Sequence, residues 1–241
     1  MTSDLLERIE ALREEYRGTS FQVRDLEFGP DPAAEDDAAS AVEEGYEKDY
    51  DLSWLATISS VTPHQGQFLY QLVRALRARV VVELGTCIGL SAAYLASALS
   101  GDEGHVHTVE GGAVRAQWAK RTLDRLGLAD RATVHHQRHE AAVVDLLPQV
   151  SPIDFGFVDS DHLRSRTVAY FEALRPCTST RGVLVFDDID WSSGMRRAWR
   201  EIGSLAESQA GIYEWHSFGI WARSARHWEE AGCESLLSLP R

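Results

Sequence analysis

Carboxylates recur in one kind of place along this chain: each stands where an apolar run stops. Glu83 closes "VVEL", and Glu110 closes "HVHTVE". Asp159 follows "IDFGFV", with Asp161 and His162 close behind, and Asp187-Asp188 follow "GVLVF". After Glu83 comes Leu84-Gly85-Thr86-Cys87-Ile88-Gly89-Leu90-Ser91. Glycines at 85 and 89 suit a tight turn and let a ligand approach the backbone closely. A helix starting behind them offers free N–H groups to an anion. Glu83 could hold an ammonium group through this loop, and Ser91 could bond a carboxylate. Glu110 lies 25 residues beyond Gly85. An acid near that distance suits the vicinal hydroxyls of a ribose. Each feature also has a plainer reading: a strand-to-helix turn for the glycines, and a favourable charge beside a helix start for Glu110.

These groups need a frame that brings strand ends together, and the pattern supplies one. "RVVVEL" is β-branched without alternation, as in a strand buried on both faces. "HVHTVE", "ATVHH", "IDFGFVD" and "GVLVFDD" read as further strands. Between them lie helical stretches, among them "LSAAYLASALS" and "LRSRTVAYFEAL". "GAVRAQWAKRTLDRLG" puts Ala116, Ala119, Leu123 and Leu126 on one face and stops at Gly127. "TPHQGQFLYQLVRALR" begins with a cap threonine and a proline, with Phe68, Leu72 and Leu76 on its apolar face. "IYEWHSF" and "IWARSA" end the pattern as strands. The alternation predicts an α/β fold, a Rossmann-like doubly wound and mostly parallel sheet with helices on both faces. Such sheets bind ligands outside the carboxyl ends of their strands, where the acids stand.

Upstream, Leu5, Ile9, Leu12 and Tyr16 recur at helical spacing behind the cap candidate Ser3. Residues 29–51, "GPDPAAEDDAASAVEEGYEKDYD", read as an acidic loop or flap. We therefore expect an N-terminal helix and acidic flap over residues 1–61 and one catalytic-type domain over 62–241.

Composition narrows the partners. The 241 residues are 44% hydrophobic and 25% charged, as in an ordinary globular domain. A net charge of −13 repels a phosphate backbone, so nucleic acid is not expected. No apolar run is long enough to span a membrane. Cys87, Cys177 and Cys233 are odd in number and scattered, which suits a reduced cytoplasmic protein better than a disulfide or zinc framework. A homodimer is possible.

The glycine loop lacks the G-x-G-x-x-G spacing of dinucleotide sites, having no glycine between 85 and 89. An amino-acid-binding loop with a ribose-binding acid describes S-adenosylmethionine better than NAD. "VELGTCIGLS", "VE" at 109–110, "FVDSDH" and "VFDDIDW" together resemble the class I S-adenosylmethionine-dependent methyltransferases. The likeness is nearest to their metal-dependent O-methyltransferases, of the catechol and caffeoyl-CoA type and the macrocin and aminocoumarin antibiotic-sugar type. It runs from about Thr62 to Arg223.

The resemblance implies a seven-stranded sheet with an antiparallel last strand. It implies that Glu83, Gly85, Thr86, Gly89 and Ser91 hold the methionine portion of S-adenosylmethionine and Glu110 the ribose. His139, beside Glu140, would flank adenine, in a stretch that lacks the family's usual small residues. Asp159, which also borders the cofactor, falls with Asp187 and Asp188 on the family's metal ligands. Three carboxylates suit Mg2+ or another divalent cation. The base position of the family falls on Asp161 or on His162. The implied partner is a small-molecule hydroxyl acceptor: phenol, catechol or sugar. Tyr50, Trp54, Trp191, Tyr213 and Trp215 are candidate walls for it, and "RRAWR" at 196–200 is a candidate attractor for an acidic acceptor. Two other readings compete: a non-catalytic methyltransferase-like binding protein, and a nicotinamide-dependent oxidoreductase.

Overall fold

The computed structural model describes residues 2–28, 45–101 and 103–240. The chain opens with α1 (Thr2–Arg17), β1 (Gln22–Glu27), β2 (Tyr46–Asp51) and α2 (Leu52–Thr57). The alternating body follows: α3 (Pro63–Leu76), β3 (Val80–Leu84), α4 (Leu90–Ala98), β4 (His105–Glu110), α5 (Ala113–Leu126) and β5 (Ala132–His136). Then come α6 (His139–Asp145), α7 (Leu147–Val150), β6 (Ile153–Val158), α8 (Arg164–Cys177) and β7 (Thr178–Phe186). The chain closes with α9 (Ser193–Leu205), β8 (Gly211–Trp215), β9 (Phe218–Ala222) and α10 (Ala225–Glu230).

Seven strands form one sheet in the order β5-β4-β3-β6-β7-β9-β8. The first five are parallel, and β9 runs antiparallel to both β7 and β8. The order reverses between β3 and its neighbours β4 and β6. That is the switch point at which a crevice opens beyond the strand ends. Alternate residues feed two cores: Val81, Phe155 and Val185 face one, Val82, Val158 and Leu184 the other. Helices α3, α4 and α5 cover the first core, and α8 with α9 the second.

Local signals set the element ends. Thr62 and Gln65 form a reciprocal capping box at α3, with Pro63 at its first position. Gly127 ends α5 at φ 71°. The pattern mistakes one boundary: Phe218 starts β9 rather than ending the strand before it, because the chain turns at His216, φ 55°.

The N-terminal region departs further from expectation. Residues 46–51 of the acidic stretch are not loop but strand β2, paired antiparallel with β1 from Gln22↔Asp51 to Glu27↔Tyr46. The rest of the flap, 29–44, lies outside the described residues. Ile9, Leu12, Tyr16, Val23, Tyr50 and Leu52 are buried in the same core as Leu69 and Leu95. Helix α1 is tied to the body by Tyr16 and Thr122, hydroxyl to hydroxyl at 3.0 Å, and by Tyr94 donating to Glu10 at 2.5 Å. No helix among the described residues is long and apolar enough to cross a membrane.

Candidate active site

The parallel strands deliver the predicted acids to one edge of the sheet. Glu83 is the last residue but one of β3, fully buried, and its Oε2 accepts from the Thr108 hydroxyl. The Ser91 hydroxyl nearby also favours its charged form. Burial pushes the Glu83 carboxyl up to about 7 against the pull of both hydroxyls, and the nearby Glu110 charge adds to the rise. Its Oε1 has no partner among the described residues.

The glycine loop is held by the fold itself. Gly85 sits at φ 105°, and a side chain there would overlap the backbone carbonyl of Asp159. Gly89 sits at φ 87°, with the space for its Cβ within 2.9 Å of Ala119 Cα on α5. Both glycines therefore meet needs of packing as well as of approach. Thr86 is turned inward: its hydroxyl pairs with Thr108 and its N–H reaches the Val109 carbonyl at 3.1 Å.

Glu110 ends β4 with its carboxylate well satisfied. Oε2 accepts the Cys87 N–H at 2.8 Å, and Oε1 accepts the Gly112 N–H at 2.8 Å and Arg115 Nε at 3.1 Å. Arg115 is itself buried and was not singled out by its sequence context. Burial works against its charge, but Glu110 and Glu27 hold the guanidinium well above its ordinary value.

His139 starts α6. Its Nδ1 lies 3.7 Å from Asp161 Oδ2, and its Nε2 is buried with no partner among the described residues. Burial pulls the imidazole down, and the Asp161 carboxylate more than offsets it, so the net shift is upward. Asp161 sits at φ 58° with its side chain nearly covered, and it accepts from Tyr170 at 2.5 Å and Arg166 at 3.1 Å. Burial would raise this carboxyl. His139, Tyr170 and Arg166 outweigh it and hold Asp161 well below the usual range. A carboxylate so held is a weak proton acceptor.

Beyond β6 and β7 the acids crowd. Ligand atoms of Asp159, His162 and Asp188 all lie within 4.8 Å of one another, as in a site for a metal ion. His162 Nε2 stands 3.8 Å from Asp159 Oδ1 and 3.8 Å from Asp188 Oδ2. Burial and the neighbouring carboxylates raise Asp159 well above the ordinary value. Burial and Asp188 push Asp187 up to about 7. Asp188 is raised by burial, with His162 pulling the other way. Of the expected trio, Asp159 and Asp188 meet here with His162 beside them. Asp187 Oδ1 turns to the Ser217 hydroxyl at 2.7 Å and the Asp188 N–H at 2.6 Å. Gln65 Nε2 donates to Ser217 at 3.0 Å, which links the α3 cap to this strand end.

The candidate aromatic walls separate. Trp191 is 69% exposed, its ring 6.0 Å from that of His162. Trp54 is partly exposed and stacks on Tyr50. Tyr50 is buried under Arg115 instead of lining a mouth. Trp215 stacks on Phe68 in the core, and Tyr213 on Trp228. In the basic stretch at 196–200, Trp199 is buried and Arg196 pairs with Asp190 at 3.6 Å.

Comparison with known proteins agrees with this layout. A family model described as a methyltransferase domain matches residues 82–189, from Val82 in β3 to just past Asp188. A catechol O-methyltransferase of Mycobacterium tuberculosis is 33% identical over 138 residues, 56% of this chain and 60% of the relative. A catechol O-methyltransferase of Niastella koreensis is 33% identical over 135 residues, 54% of this chain and 57% of the relative. The match therefore spans less than two thirds of the length of these curated relatives. An O-methyltransferase from Bacillus cereus, solved with S-adenosylhomocysteine, superposes with a TM-score of 0.60 at 28% identity, over 68% of this chain and 82% of the other. By fold and by sequence the likenesses are to methyltransferases, and the relatives and the structure named here are O-methyltransferases.

Proposed function

We propose that this chain transfers a methyl group from S-adenosylmethionine to a hydroxyl of a small molecule, assisted by a divalent cation. The observation that carries the reading is a run of buried polar atoms across the strand ends with no partner among the described residues: Glu83 Oε1, His139 Nε2, Ser160 Oγ and His162 Nδ1. Buried polar atoms without partners are costly unless a ligand or water completes them. Beside them stand Asp159 and Asp188, two carboxylates raised by burial and crowding.

The residues fit the cofactor by type. Glu83 takes its ammonium, Glu110 its ribose hydroxyls, and His139 Nε2 the edge of its base. Asp161 sets the ring of His139 and is a positioning residue, not the base. Asp159 and Asp188 hold the cation, with Asp187 behind them fixing the Asp188 backbone. When bound, such an ion lowers the pKa of a coordinated hydroxyl and orients its oxygen. His162 Nε2 takes the proton from the acceptor, and Trp191 offers its exposed face to a planar acceptor. The relatives named catechol O-methyltransferases support a catechol as the first acceptor to try.

The test is transfer of labelled methyl from S-adenosylmethionine to a catechol, with Mg2+ and then with excess EDTA. Transfer that EDTA abolishes and Mg2+ restores is expected. His162→Gln should keep cation binding and lose roughly 10²–10⁴-fold in turnover. Full activity in EDTA, or an unaffected His162→Gln, would contradict the respective role. The nicotinamide reading loses its motivation, since the loop is spaced for no pyrophosphate. The non-catalytic reading would require cofactor binding with no acceptor methylated.

A further inference from the structure

The β1–β2 hairpin lies against the cofactor side of the crevice. Phe28 directly follows β1 and is half-buried. Its ring lies against Gly111, where a Cβ would come 3.0 Å from Phe28 Cδ2. The Arg138 guanidinium lies over the same ring, 5.1 Å from its centroid. Gly111 follows Glu110, and Arg138 precedes His139. One ring from the N-terminal region therefore bridges the ends of β4 and β5.

The hairpin is anchored there by Arg115. The Arg115 N–H donates to Asp25 Oδ2 at 2.7 Å. Its guanidinium donates to Glu27 at 3.0 Å, to the Tyr50 hydroxyl at 2.9 Å and to the Leu26 carbonyl at 3.0 Å. The same guanidinium reaches Glu110 at 3.1 Å. Hairpin and acid are thus held by one buried charge.

We infer that the hairpin is part of the cofactor site, with Phe28 an aromatic wall for the cofactor's base and Arg115 the residue that positions that wall. The inference rests on Glu110 as the ribose acid. A base is bonded directly to its ribose, so it must lie beside the residues next to Glu110. There the sheet offers Gly111, which has no side chain to cover a ring. Phe28 stands in that place, brought from some 80 residues earlier in the chain. Stacking on a base is sequence-tolerant and strong enough to be read in a titration.

The experiment is calorimetric titration of the full chain with S-adenosylhomocysteine and with 5′-methylthioadenosine, which lacks the amino-acid end. Phe28→Ala should raise both Kd values by the same factor, about tenfold. Phe28→Trp should bind as the parent does. Phe28→Leu keeps the packing on Gly111 without an aromatic face, and it should still lose affinity for both ligands. Parent-like binding by Phe28→Ala and Phe28→Leu would overturn the inference, and so would a loss confined to S-adenosylhomocysteine. Glu110→Gln separates the two levels. If it binds both ligands normally, the ribose reading fails. If it weakens both while Phe28→Ala does not, the hairpin assignment alone fails.

Discussion

The two ends of the crevice are built on opposite electrostatic plans. At the β4 end, Glu110 receives two backbone N–H groups and the Arg115 Nε, and that guanidinium is matched in turn by Glu27. Every charge there has a partner within the protein. At the β6–β7 end, Asp159, Asp187 and Asp188 press on one another with His162 alone facing two of them at 3.8 Å. Like charges this close shift toward their neutral forms unless a cation joins them. The first end is balanced in charge within the protein, and the second is not.

The largest expected effect comes from breaking the balanced end. Arg115→Met removes one cation from among Glu110, Glu27 and Asp25, all held close to it. An uncompensated buried charge costs about 3–5 kcal/mol. Urea unfolding of the variant should show a loss of that size, and a loss below about 1 kcal/mol would mean that the pairing is not what holds the hairpin down.

Next in size is a pH effect at Glu83. Its folded pKa, about 7, lies above its ordinary carboxyl value of 4.5. The ligand-free native state thus binds more protons than the unfolded chain between those limits. Its contribution is fully present below about pH 4.5 and is lost as the pH rises through 7. Relative to Glu83→Gln, the parent should lose about 3 kcal/mol between pH 5 and pH 8. Parallel stability curves for the two proteins would show that Glu83 is not buried as described.

Much of this was legible in the residues. The sheet, its helices and the strand-end acids follow from apolar runs, caps and glycines, because each is a local signal. Gly127 and Thr62 mark their helix ends as read. The hairpin was not legible. Val23 and Asp25 are buried on alternate positions of β1, but β2 is "YEKDYD", whose charges hide its pairing. Nor could spacing show that Asp161 would be consumed by Arg166 and Tyr170, five and nine residues further on in α8. The backbone at Cys87, Asp161, His162 and Asp188 is left-handed, φ 46–58°, without glycine. Such conformations persist only where the surroundings enforce them. They redirect side chains at the strand ends, which is why His162 meets Asp159 and Asp188 while Asp187 faces Ser217.

The smallest change in stability accompanies the most direct test of the unbalanced end. Asp188→Asn relieves one repulsion and should raise the stability of the metal-free chain by about 1 kcal/mol, while removing a ligand atom. Calorimetric titration with Mn2+, in the presence of saturating S-adenosylhomocysteine, measures both proteins under one condition. One ion bound per parent chain, and none by Asp188→Asn, is the result this account predicts. A parent chain that takes up no ion, or a variant that binds it equally well, would contradict it.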